Sequence, residues 1–405
     1  MQNFDTLGLH PRILHAITKL NFITPTPIQA EAIPLALVGK DILGSAQTGT
    51  GKTAAFGIPL ITHLLSNPDN TALVMTPTRE LASQVYDILQ KILGRDSGIN
   101  NALLIGGDSM EKQIRQLKTK PRLIVGTPGR INDHLQRRNV NFSKTRFLVL
   151  DETDRMLDMG FGIQIDQILT YVPKDRQTLL FSATLPSNIL KLSGKYLNDP
   201  IRISIGTINK PSADLKQETI ETSETDKYDQ LLTQLDRRQG SIIIFVKTKY
   251  GADRMLKKLK TLKYNADVMH GDLKQRQRDR AIQDFRSSKT RIMIATDIAS
   301  RGLDIPHIEH VINYDLPQCP NDYVHRIGRT ARAGATGEAV NLVTPQDIKK
   351  WNIITRLINP DDKIKSVSKS KSKGAPKRNN SFNKKNCSGN PSYSNKSRGK
   401  FKKAV

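Results

Sequence analysis

Three short stretches carry residues whose types and spacing suit the cleavage of a nucleoside triphosphate. AQTGTGKT (residues 46–53) follows the apolar DILGS. In it Gly49 and Gly51 permit a turn that points several backbone N–H groups at one anion, and Lys52 adds a point charge for the β- and γ-phosphates. Thr53 offers a hydroxyl to Mg2+, and the loop should lead into a helix N-terminus whose dipole favours anions. Position 46 is Ala, so the strict G-x4-G-K-T pattern is missed by one residue. DETD (151–154) follows the apolar run FLVL and places two carboxylates at the end of a buried strand. Asp151 would hold Mg2+ and Glu152 would polarise the attacking water. Helix capping accounts for Asp154 but not for that pair. Far downstream, HRIGRTAR (325–332) sets Arg326, Arg329 and Arg332 at three-residue intervals, where they could reach a phosphate from another domain.

The elements that must position these residues alternate in type. Strands are expected at TALVMTP, ALLIGG, RLIVGTP, FLVLDE and TLLFSAT, then again at SIIIFVK, ADVMHG, RIMIATD, HVINYDLP and EAVNLVT. Helical patterns lie between them, which argues for parallel sheets built from βαβ units. Leu81, Val85, Ile88, Leu89 and Ile92 form one apolar helix stripe, and Ala252, Met255, Leu256 and Leu259 another; core packing is the plain reading of both. The periodicity breaks at GTINKPSADL, so the expected layout is a domain over 1–205, a linker over 206–215, a second domain over 216–360 and a tail over 361–405. The second half has arginines but no phosphate loop, as suits a domain that completes a site in the first.

The chain has 405 residues, enough for two domains with their own cores, and 63 Lys+Arg against 38 Asp+Glu give it a net charge of +25. A balance this basic favours a polyanionic partner. The tail holds 14 Lys and Arg against Asp361 and Asp362, with Phe382, Tyr393 and Phe401 scattered among Ser, Asn and Gly. It should be disordered, and its lysines and aromatics suit sequence-tolerant RNA binding. Two distant cysteines, Cys319 and Cys387, exclude a disulfide framework or a cysteine zinc site. The opening MQNFDTLGLHP lacks the pattern of a secretory leader and no apolar run reaches membrane-span length, so a cytoplasmic location is expected.

With AQTGTGKT, PTRELASQ (77–84), TPGR (127–130), DETD, SAT (182–184), ATDIASRGLDI (295–305) and HRIGRTAR in this order, the chain resembles the DEAD-box RNA helicases over about residues 1–350. DETDRMLDMGF looks most like the bacterial RhlE-type subgroup. The resemblance implies two RecA-like parallel-sheet domains joined by a flexible linker, with ATP and Mg2+ at the site. NFITPTPIQ (21–29) looks like the adenine-recognising Q motif: Gln29 would bond the adenine edge and Phe4, 17 residues before Asn21, would stack on the base. Ala46, Gln47, Thr48, Gly49, Thr50, Gly51, Lys52 and Thr53 would form the phosphate loop, with Gly302 and Asp304 at the ribose. Arg329 and Arg332 match the arginine fingers, and Ser182 and Thr184 the residues that couple hydrolysis to strand opening.

RNA would run across both domains, on Pro77, Thr78, Arg79, Gly106, Gly107, Thr127, Gly129 and Arg130 of the first and Gln275, Arg278 and Thr296 of the second. Such glycines and threonines suit contacts to phosphate and sugar, which read no sequence. The chain departs from the family's usual pattern at Thr153, at Asn21, where Gly is usual, and at Ala331, where Gly is common. The implied activity is ATP-dependent local unwinding of RNA, driven by domain closure, in a monomer; ribosome-assembly or RNA-decay proteins are the partners that family analogy suggests. The alternative is an ATP-gated RNA clamp or annealing factor with slow hydrolysis.

Overall fold

The expected strands fall into two separate sheets in the computed structural model, which describes residues 3–46, 49–185, 187–205, 215–297, 308–331 and 336–358. The first sheet contains β1 (Ile42–Ser45), β2 (Thr71–Met75), β3 (Asn101–Leu104), β4 (Leu123–Gly126), β5 (Thr145–Leu150), β6 (Gln177–Ser182) and β7 (Ile201–Ser204). Their spatial order is β3-β4-β2-β5-β6-β1-β7. The second contains β8 (Leu215–Glu221), β9 (Ile242–Phe245), β10 (Ala266–Met269), β11 (Ile292–Ala295), β12 (His310–Asn313) and β13 (Gly337–Val343), in the order β10-β11-β9-β12-β13-β8. Every pairing is parallel.

Parallel sheets are covered by helices on both faces, which is why their strands read as unbroken apolar runs. Alternate side chains then serve opposite cores. On β5, Phe147 and Val149 enter one apolar cluster and Leu148 and Leu150 the other. On β9, Ile243 and Phe245 face one way and Ile242 and Ile244 the other. The expected stripes are core: Val85, Leu89 and Ile92 are buried on the helix Arg79–Leu93, and Ala252, Met255 and Leu259 on the helix Lys249–Thr261. Among the described residues, no apolar cluster draws on both sheets.

Two strands escape the sequence pattern. β7 and β8 are sheet edges: β7 alternates Ile201 and the buried Ile203 with exposed Arg202 and Ser204, and β8 is mostly polar and exposed, so neither shows an apolar run. β8 opens at Leu215, the last residue of the expected linker; residues 206–214 and the tail lie outside the described residues. The order of the first sheet does the positioning. β6 has β1 on one side and β5 on the other, so the phosphate loop after β1, SAT at the end of β6 and DETD after β5 emerge together. Ligands of open α/β sheets gather at such carboxyl ends.

Candidate active site

The phosphate loop is shaped by glycines in the left-handed region, Gly49 at φ 87° and Gly51 at φ 89°. Gly51 caps the helix Lys52–Ser66, and a Cβ on it would collide with the side-chain amide of Gln29. That amide clasps the loop: Gln29 Nε2 donates to Gly51 O at 3.0 Å, while Oε1 accepts from Thr26 N at 3.0 Å. Lys52 is buried and donates from Nζ to Ala46 O at 2.7 Å, inside the loop where a phosphate would lie. Thr53 is half-buried beside it. Phe4 is only 3% exposed and its ring stacks on Phe22, with centroids 6.5 Å apart.

Asp151 and Glu152 are both buried. The Asp151 carboxyl is pushed up to about 6: burial and the neighbouring Glu152 charge disfavour ionisation more than Lys52 restores it. Glu152 behaves oppositely. Burial opposes its charge, but Arg155, Arg329 and Lys52 together outweigh that and hold it at about 2. The Arg155 Nη1 to Glu152 Oε2 distance is 2.9 Å. Glu152 also takes a left-handed backbone, φ 48° and ψ 51°, a conformation of about 1–3 kcal/mol strain that concentrates at functional sites. Asp154 Oδ2 accepts from Thr184 N at 3.0 Å, Thr184 Oγ1 at 3.0 Å and Ala183 N at 3.2 Å, joining DETD to SAT. Ser182 Oγ donates to Thr184 O at 2.6 Å.

The second sheet reaches this site through the helix Pro320–Ile327 and the turn after it. Arg329 is 3% exposed, and its charge is felt at Glu152. His325 is lowered to about 4, chiefly by desolvation, although Asp154 and Glu152 pull the other way. Arg326 does not share the reach expected of all three arginines. It is buried with Nε and Nη2 on the Asp297 carboxylate at 2.5 and 2.8 Å, Nη1 on Asn313 Oδ1 at 2.9 Å, and its guanidinium over the Phe245 ring. Three residues separate an arginine held by Asp297 and Asn313 from one whose charge acts on Glu152. Gln47, Thr48, Gly302, Asp304 and Arg332 lie outside the described residues.

A second cleft of about 440 Å3 gathers Pro77, Thr78, Arg79, Gly106, Thr127, Gly129, Arg130 and Arg278. It adds Glu80, Met159, Phe161 and Gly271, which sequence reasoning missed. Gly107, at φ 80°, leaves room for the Arg79 guanidinium, which a Cβ there would strike. Gln275 bridges the sheets: its Oε1 lies 3.4 Å from Arg79 Nη1 and its Nε2 3.4 Å from Glu80 Oε1. Arg278 Nε is buried and has no hydrogen-bond partner among the described residues. Thr296 is half-buried at the end of β11, outside this lining.

Comparison with known proteins follows the same division. Residues 26–192 match the family described as DEAD/DEAH box helicase, and residues 225–334 the helicase conserved C-terminal domain. The DEAD-box ATP-dependent RNA helicase CshA of Geobacillus kaustophilus is 44% identical over 88% of this chain and 76% of its own length. The structure of S. cerevisiae Dbp5 bound to RNA and ADP BeF3 superposes with a TM-score of 0.81 at 34% identity, covering 89% of this chain and 95% of that one. A variant of Dbp5 bound to Nup159, Gle1, IP6 and ADP gives 0.60 at 33% identity, over 86% and 92%. The sheets here are arranged more like those of the RNA complex.

Proposed function

Because the chain belongs to the DEAD-box helicase family, we propose that it is an ATP-dependent RNA helicase whose two RecA-like domains close on ATP and RNA together. The observation that carries this is that two clefts share one closure. The charge of Arg329, from the second domain, acts on Glu152 beside the phosphate loop, and Arg278 of the second domain pairs with Glu80 at the cleft lined by Arg79 and Arg130. Filling either cleft favours the arrangement the other needs, so ATP and RNA bind cooperatively.

The residues present fit Mg2+. Asp151 is a buried carboxylate whose ionisation Lys52 only partly restores, and Thr53 stands in the first turn of the helix that follows the phosphate loop. Among the described residues no group of three or more His, Cys, Asp or Glu could hold a metal, which suits an ion that keeps its waters and phosphate ligands. Mg2+ would neutralise charge on the β- and γ-phosphates. Glu152 stays ionised and orients water, its low pKa suiting electrostatic positioning better than proton removal. Arg329, with Arg332, supplies positive charge to the γ-phosphate at closure. Gln29 ties adenine recognition to the loop through Gly51. Asp154 and Thr184 pass the state of the DETD segment to the rest of the domain. The finer placement in the RhlE-type subgroup, a cytoplasmic location and a monomeric state belong to this proposal.

Steady-state ATP hydrolysis with and without single-stranded RNA, for the native chain and Glu152→Gln, tests the reading. RNA should stimulate hydrolysis and the substitution should lower kcat by about a hundredfold or more while RNA binding persists. An RNA-independent rate would overturn it.

A further inference from the structure

Beside the RNA cleft lies a groove of about 790 Å3 whose walls come from both domains. Lys112, Arg115 and Gln116 stand on the helix Met110–Lys118 of the first, and Arg276 on the helix Gln275–Arg286 of the second. Lys112 Nζ is 3.3 Å from Asp108 Oδ2, the one acidic group in the lining. Arg115 and Arg276 are exposed, and neither has a hydrogen-bond or ion-pair partner among the described residues. Two guanidinium groups of like charge thus line one space, and among the described residues neither is paired with a carboxylate.

We propose that this groove holds backbone phosphates of the RNA strand beyond the segment seated in the cleft. The inference rests on the helicase reading and extends it to a second, closure-dependent grip. Two observations select nucleic acid over a protein partner. The lining is wholly polar or charged, with no aromatic or aliphatic anchor of the kind that protein interfaces need. Arg, Lys, Ser, Thr and Gln are the side chains that contact phosphate and sugar. The groove is also continuous with the cleft. Arg130 of the cleft donates from Nη1 to Asp108 O of the groove at 3.3 Å, and Gln275 and Arg276 are consecutive. Since Arg276 comes from the second domain and the other six lining residues from the first, the groove is complete only while the domains are together, so its full hold on longer RNA belongs to the ATP-bound stage.

The test is a salt titration of RNA affinity for the full chain with AMP-PNP and Mg2+, using a uridine hexanucleotide and a uridine twenty-mer. Each single-strand phosphate neutralised contributes roughly 0.7 to the slope of log K against log salt. Lys112→Ala with Arg115→Ala and Arg276→Ala should make the twenty-mer slope shallower by about 0.7 to 2 and leave the hexanucleotide slope unchanged. Arg115→Glu alone should weaken the twenty-mer selectively. Equal twenty-mer slopes in native and triple variant, with Arg79→Ala weakening both RNAs, would overturn the groove and spare the helicase reading. A native chain that binds neither RNA overturns both.

Discussion

Arg278 Nη2 lies 2.8 Å from Glu80 Oε1, with the two side chains 8% and 3% exposed, and the pair joins the two domains at the RNA cleft. A buried ion pair adds little net stability, but removing one partner costs about 3–5 kcal/mol because the other charge stays buried. Here that cost falls on closure, since opening returns both groups to water. Glu80→Ala is expected to raise the RNA concentration for half-maximal ATPase at least tenfold without shifting the melting temperature measured in the absence of ligands. The exchange of Glu80→Arg with Arg278→Glu should recover part of the loss. An unchanged RNA requirement in Glu80→Ala would show that the pair does not support closure.

Both positions at which this chain lacks a usual family glycine have left-handed backbone: Asn21 at φ 57° and Ala331 at φ 52°. Asn adopts that region with little penalty, whereas a residue with a plain Cβ carries roughly 1–2 kcal/mol. Ala331→Gly should therefore stabilise the second domain by about 0.5–1 kcal/mol, the relief being offset in part by the freer unfolded chain. Asn21→Gly should change stability by less than about 0.5 kcal/mol, and Asn21→Val should lose about 1–2 kcal/mol. Urea midpoints decide it; an Ala331→Gly variant no more stable than the native chain contradicts the strain.

His134 is fully buried, and its neutral form satisfies both ring nitrogens. Nε2–H can donate to Gln113 Oε1 at 3.1 Å while Nδ1 accepts from Asn139 Nδ2 at 3.3 Å. Desolvation, with Arg130 and Arg137 nearby, lowers its pKa below the ordinary 6.5, although Asp133 opposes. The unfolded chain then binds this proton before the folded one does, so the stability His134 supports is complete above pH 6.5 and falls as pH drops toward the lowered value. Urea unfolding at pH 7.5 and 5.5 should show a smaller acid loss for His134→Gln than for the native chain. Equal losses would remove His134 from the acid sensitivity.

How much of this was legible in the sequence depends on what each residue answers to. Strands buried on both faces read as apolar runs, and the motifs at their ends follow at once, so Lys52, Asp151 and the two core stripes stand where they were expected. β7 and β8 were not legible: β7 is four residues that alternate Ile with Arg and Ser, and β8 is polar at five of seven positions, whereas β3 and β10, also at sheet edges, were expected. Arg326 and Arg329 look alike in HRIGR; only the fold brings Asp297 to the first and Glu152 to the second. Glu80, Phe161 and Gly271 reach the RNA cleft from three separate segments, a convergence that no local spacing encodes.

The separation of the apolar clusters bears on how the molecule is made and how it cycles. Each domain can complete its own interior, so the first is free to fold before the second has left the ribosome. The same separation makes opening cheap in hydration terms. Closure engages charged and polar groups rather than a shared oily seam, so each turnover should exchange little apolar surface with water and carry a small heat-capacity change. In the proposed cycle, where the halves part at each hydrolysis, the molecule is thereby spared the temperature sensitivity of repeatedly breaking a hydrophobic core.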